Sequence, residues 1–161
     1  MKFGIIGSGS WGTALAKILT DNKNSISWWI RSEANIGYFK KRHHNPHYLS
    51  SAYFDTTLLQ LECDVAEVIK NSDCLIMVVP AAFASTALSG LPKDIFKNKK
   101  VISAVKGILP EKNLLLNEYL KNEFDLELAN YFTLLGPCNA EEVYVENLSY
   151  LSFPFFIILS S

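Results

Sequence analysis

"FGIIGSGSWGTALA", residues 3–16, is the stretch whose reading decides the fold. Gly7, Gly9 and Gly12 stand there at G-x-G-x-x-G spacing, after a short apolar run and before a helical pattern with Ala14, Leu15, Ile18 and Leu19 on one face. Gly7 can take a tight turn, Gly9 removes a side chain where a pyrophosphate must approach, and Gly12 permits close packing of helix on strand. The free N–H groups at the start of such a helix face an anion. A glycine turn without a ligand would carry the same letters. The strand before, the helix after and a βαβ unit of the right length favour a dinucleotide cradle.

Working outward, short apolar runs alternate with helical patterns. "KFGII" (2–6) reads as a buried strand and residues 11–21 as a helix. "SISWWI" (25–30) is a second strand, followed by a polar helix over 33–42 and a loop rich in His, Asn and Pro over 43–55. "TLLQLE" (57–62) is a third strand, and Asp64 with Glu67 opens a short helix in the manner of a capping box. "CLIMVVP" (74–80) is apolar on both faces, as central parallel strands are. Helices are expected over 82–89, 92–97 and 111–123, strands over 100–105 and 131–135, and a further helix from Gly136-Pro137. The alternation predicts an α/β fold: one domain with a doubly wound, mostly parallel sheet of Rossmann-like type.

The 161 residues suffice for one domain with a buried core. With 49% hydrophobic and 19% charged residues and a net charge of -1, the composition is that of a globular protein without a basic surface for nucleic acid. "KKRHH" (40–44) is short and reads as a solvated helix end. Cys63, Cys74 and Cys138 are widely spaced and odd in number, which fits a reducing, cytoplasmic compartment better than a disulfide framework. The N-terminus lacks the pattern of a signal peptide, and no apolar run reaches the ~20 residues of a membrane span. His43, His44 and His47 invite a zinc reading, but Pro46 interrupts their alignment and no Cys or carboxylate completes a ligand set; no metal is expected.

The cofactor form is read at the end of the second strand. NAD sites place an acid about 20 residues beyond the glycines, on the ribose 2′-hydroxyl. Here Arg31 stands in that place, and a guanidinium can pair with a 2′-phosphate or stack on adenine. Glu33, two residues on, can still reach the ribose, so NAD or NADP both stay open.

Four segments in order, "GSGSWGTALA" (7–16), "VVPAAF" (78–83), "SAVKGI" (103–108) and "LLGPCNAEEV" (134–143), each fall at the C-terminal end of a strand. Together they resemble the N-terminal domain of NAD(P)-dependent glycerol-3-phosphate dehydrogenase, and "NPHYL" (45–49) resembles that family's N-x-x-Y-L segment. The resemblance covers residues 1–151. It implies cofactor contacts from Gly7, Gly9, Ser10, Trp11, Gly12, Arg31, Phe83, Lys106 and Ala140, and substrate contacts from Lys106, Gly136 and Cys138. It implies a small-molecule substrate, sn-glycerol 3-phosphate or dihydroxyacetone phosphate, exchanging hydride with NAD(P). Read without the family, Phe83 could pack under its own helix and Lys106 could be a surface lysine. Glu141 and Glu142 suit the first turn of a helix.

The family continues into a helical C-terminal domain carrying the lysine regarded as its proton donor, so no catalytic residue is assigned within these residues. The tail, 152–161, departs from the family's pattern, as a truncated or frame-altered product would. An uncovered apolar strand of that kind can also pair with another copy, which leaves a homo-oligomer open. The isolated chain is expected to bind cofactor without turnover. Two other functions fit the fold: a non-catalytic dinucleotide-sensing domain, and a dehydrogenase of a related Rossmann family. Lys106 and the 134–143 segment would be surplus to the first, and the second lacks this spacing of K-G and G-P-x-x-A-x-E.

Overall fold

The computed structural model describes residues 1–134. Strands β1 (Phe3–Ile6), β2 (Ile26–Trp29), β3 (Leu59–Glu62), β4 (Cys74–Met77), β5 (Lys100–Ser103) and β6 (Tyr131–Thr133) alternate with helices α1 (Ser10–Asp21), α2 (Glu33–Arg42), α3 (Val65–Lys70), α4 (Ala81–Ala87) and α5 (Leu116–Phe124). The six strands form one sheet in the order β3-β2-β1-β4-β5-β6, with every neighbouring pair parallel. Strand order reverses beside β1, which is the topological switch point where open α/β sheets bind ligands.

Period-two alternation splits the core into two layers. Ile6, Leu75, Met77 and Val101 face α3, α4 and α5, where Val68, Ile69, Leu88, Leu116 and Leu120 meet them. Ile5, Trp28, Leu61 and Ile76 face α1 and α2, against Leu15, Ala16, Ile36 and Phe39. On this second side Trp28, Phe39 and Phe54 form an aromatic cluster with ring centroids 5.2–5.8 Å apart. It secures the 43–55 loop beside the first strand–helix turn.

Several expected boundaries shift. The 92–97 segment is a series of turns, since Pro92 and short i→i+3 bonds such as Ile95 N–H to Pro92 O tighten the chain without propagating a helix. The helix expected from residue 111 begins at Leu116, because Leu109 and Leu114 pair as an isolated antiparallel bridge ahead of it. Residues Thr56–Leu58 make a 3₁₀ turn that Asp55 caps, so β3 starts at Leu59. Asp64 does cap α3, accepting from Ala66 N–H, but Glu67 turns to Lys70 and leaves no reciprocal box. "KKRHH" is a solvated helix end: Lys40, Lys41 and Arg42 are exposed in the last turn of α2, and His43 closes it in the left-handed conformation. The helix expected from Gly136-Pro137 and the 152–161 tail lie outside the described residues.

Candidate cofactor site

Each glycine of the opening motif meets a distinct geometric demand. Gly7 has φ +124°, and a Cβ there would stand 3.0 Å from the Val78–Val79 backbone. A Cβ on Gly12 would lie 2.2 Å from Gly7 O, so the first turn of α1 rests directly on the loop. At Gly9 a Cβ would meet nothing within 4 Å. Gly7 and Gly12 are therefore required by the fold, whereas Gly9 opens onto free space.

That space is a cleft of about 570 Å³ at the carboxyl ends of the strands, bounded by the glycine loop, Arg31, the Asn45–Tyr48 stretch and Phe83. A smaller neighbouring cleft of about 370 Å³ shares Trp11, Val78, Val79 and Pro80 with it and ends at Lys106 and Leu134. Helix α1 begins at Ser10, after the N-cap Gly9, with no side-chain cap and no acid in its first turn. Among the described residues no protein acceptor meets the N–H groups of Ser10, Trp11 or Gly12. An uncapped helix start with free donors at the floor of a cleft is suited to an anion.

The structure brings Gly7, Gly9, Ser10, Trp11, Arg31 and Phe83 to the larger cleft and Lys106 to the smaller one, with Gly12 beneath the loop. Phe83 is 56% exposed, so it does not pack under its own helix. Glu33 is exposed, does not line the cleft, and accepts from Cys63 Sγ at 3.7 Å. Among the described residues no carboxylate lines the larger cleft. Gly136, Cys138 and Ala140 lie outside the described residues. Cys74 is buried in β4, and burial pushes its thiol pKa up, while Cys63 is exposed. Among the described residues no cluster of His, Cys, Asp or Glu is arranged to hold a metal, and no helix is long and apolar enough to cross a membrane.

Three residues that shape the loop were not singled out from sequence. Trp28 Nε1 donates to Gly7 O at 2.9 Å, Asn45 Nδ2 to Ser8 O at 3.0 Å, and Thr13 Oγ1 to Gly9 O at 2.9 Å. The N-x-x-Y-L resemblance touches Asn45 without indicating its partner.

Strand order, switch-point cleft and glycine turn define a doubly wound domain of the Rossmann class. Comparison with known proteins narrows the class. Residues 2–153 match the family model for the NAD-dependent glycerol-3-phosphate dehydrogenase N-terminus, and the chain belongs to that oxidoreductase family. It is 32% identical over 143 residues to a glycerol-3-phosphate dehydrogenase [NAD(P)+] of Nitratidesulfovibrio vulgaris, covering 89% of this chain and 43% of that protein. Identity to the enzyme of the same name from Aster yellows witches'-broom phytoplasma is 32% over 155 residues, covering 94% of this chain and 44% of the relative. The structure of Plasmodium falciparum glycerol-3-phosphate dehydrogenase superposes with a TM-score of 0.81 at 27% identity, over 95% of this chain and 45% of that one. The chain thus spans less than half the length of these relatives.

Proposed function

We propose that this chain is the cofactor-binding portion of an NAD(P)-dependent glycerol-3-phosphate dehydrogenase, interconverting sn-glycerol 3-phosphate and dihydroxyacetone phosphate. The observation that carries the reading is the uncapped start of α1: free N–H donors beneath a glycine whose missing side chain leaves the cleft open. In this reading Ser10, Trp11 and the glycine loop receive the cofactor's diphosphate, and Phe83 lends an apolar wall. Arg31 is the counterion for a 2′-phosphate, and the absence of a lining carboxylate among the described residues supports NADP alongside NAD. When bound, the nicotinamide supplies or accepts the hydride.

Lys106 lines the smaller cleft, which adjoins the cofactor site through Trp11, Val78, Val79 and Pro80, and offers a mobile cation for a phosphate or hydroxyl group of the triose. Gly136 and Cys138 would complete the substrate contacts and Ala140 a cofactor contact. Reduction of the carbonyl also needs a proton donor, typically worth ~10²–10⁴-fold, and none of the residues assigned here fills that role. The chain alone should therefore bind cofactor without measurable turnover, and a cytoplasmic setting belongs to the same reading.

Calorimetric titration with NADH and NADPH tests the binding half. A coupled measurement tests the other: NADPH oxidation by dihydroxyacetone phosphate, with and without the C-terminal region of a relative fused to the chain. The reading expects cofactor binding by the chain, turnover only in the fusion, and impaired turnover with retained cofactor binding in its Lys106→Ala variant. A chain that binds neither cofactor, or turnover from the chain alone, refutes it.

A further inference from the structure

The contacts to the glycine loop follow a pattern: Gly7 O, Ser8 O and Gly9 O, three successive carbonyls, each accept from a side chain, Trp28, Asn45 and Thr13 respectively. In a trans planar peptide the carbonyl and the following N–H point in opposite directions. These contacts therefore turn the N–H groups of Ser8, Gly9 and Ser10 away from their anchors, and no protein acceptor meets them among the described residues.

Asn45 has the most connections of the three. Its side chain is buried, with the residue 3% exposed, and Nδ2 donates both to Ser8 O at 3.0 Å and to Thr13 Oγ1 at 2.9 Å. Its Oδ1 accepts from His47 N–H at 3.0 Å and Tyr48 N–H at 3.3 Å. All four hydrogen-bonding positions of a primary amide are filled. The Thr13 hydroxyl proton is committed to Gly9 O, so Thr13 Oγ1 can only accept from Asn45. Both partners of Nδ2 are then acceptors, which fixes the amide's orientation and makes a carboxylate a poor substitute. Through these bonds one side chain ties the glycine loop to His47 and Tyr48, which line the same cleft.

We propose that Asn45 is a positioning residue for the cofactor diphosphate. It sets the Ser8–Gly9 peptide directly and the Gly9–Ser10 peptide through Thr13, so that their N–H groups are presented to the anion before it arrives. Preorganised donors lose less on binding than donors that must first be turned. The inference rests on the dinucleotide reading of this cleft.

The test titrates NAD+, which has no 2′-phosphate to complicate the pH dependence, into the 161-residue chain and its variants by calorimetry, with folding followed by circular dichroism. Asn45→Ala should weaken binding about tenfold. Asn45→Asp should weaken it further near pH 8, where a carboxylate faces two acceptors. As pH falls toward about 5.5, that carboxyl takes up a proton and can donate one bond again, so affinity relative to the parent should recover. The Asn45→Ala ratio to the parent should stay flat over the same range. Loss of packing alone has no such pH profile. Should either Asn45 variant fail to fold, Thr13→Val, which removes the hydroxyl from the same network, carries the same expected tenfold loss. NAD+ affinity within twofold of the parent in Asn45→Ala, or in a folded Thr13→Val, overturns the positioning role, as does a pH-independent ratio for Asn45→Asp. A parent that binds no dinucleotide overturns the cofactor reading and this role together.

Discussion

A Cβ at Gly9 would meet no protein atom within 4 Å, so Gly9→Ala adds a methyl group to the open floor of the larger cleft. The backbone there, φ -75° and ψ -171°, suits any residue. Two small effects on stability oppose each other. Alanine is a poorer N-cap than glycine by up to ~1 kcal/mol, and it restricts the unfolded chain by ~0.4–1 kcal/mol. Folding stability should therefore stay within about 0.5 kcal/mol of the parent. Binding has no such compensation. The methyl stands between the free N–H groups of α1 and an approaching diphosphate, and hydrogen bonds to a charged group are each worth ~1.5–3 kcal/mol. Losing the better part of one corresponds to at least a tenfold rise in Kd, about 1.4 kcal/mol. Urea unfolding and calorimetric titration with NADH, run on the same preparation, measure both quantities. Parental affinity in a variant of parental stability would refute the argument, because the added methyl would then lie off the ligand's path.

Gly12→Ala should fail in the other way: its Cβ would lie 2.2 Å from Gly7 O, a backbone atom that cannot swing aside, so a loss of ~1–3 kcal/mol is expected. The urea midpoint should fall at unchanged slope, and an unaltered midpoint would contradict the close packing of α1 on the loop. Arg31→Asp should lower affinity for NADPH more than for NADH, and an unchanged ratio of the two dissociation constants would leave Arg31 as a solvated strand end. Asp73 accepts from Lys2 N–H at 2.7 Å, and this bond holds its carboxyl below the ordinary 3.8. A depressed carboxyl contributes stability above its unfolded pKa and loses it as pH falls through the folded one. Melting temperatures of the parent should therefore exceed those of Asp73→Asn above pH 3.8 and converge below it, whereas a constant gap would rule out the linkage.

The regular elements were legible because their signals are local. "CLIMVVP" is apolar at every position because β4 is buried on both faces, presenting Leu75 and Met77 to one core layer and Ile76 to the other. The limits of α2 follow from Ser32, which accepts from Asn35 N–H at its start, and from the basic last turn and left-handed His43 at its end. The misread segments are those where local rules conflict. Residues 111–115 carry Glu, Lys and Leu, which favour a helix, but the local antiparallel bridge of Leu109 with Leu114 takes their backbone first.

The site divides along the same line. Gly7, Gly9 and Gly12 announce themselves, since the absence of a side chain at fixed spacing is itself a pattern. Nothing local marks the residues that aim the loop: Trp28 reads as an ordinary strand residue, Thr13 as a helix residue of middling propensity, and Asn45 as part of a turn before proline. Their partners lie 21 residues away for Trp28 and 37 for Asn45, and only the sheet order and the aromatic cluster around Phe54 bring them together. Glycine spacing states that a close approach is permitted, but it does not state which way the peptides face. That orientation depends on three donors from outside the motif or deeper in α1, each bonded to one carbonyl. A glycine motif lacking a buried donor set of this kind would be free to turn its carbonyls toward the cleft, where they would repel the phosphate that the motif is taken to bind.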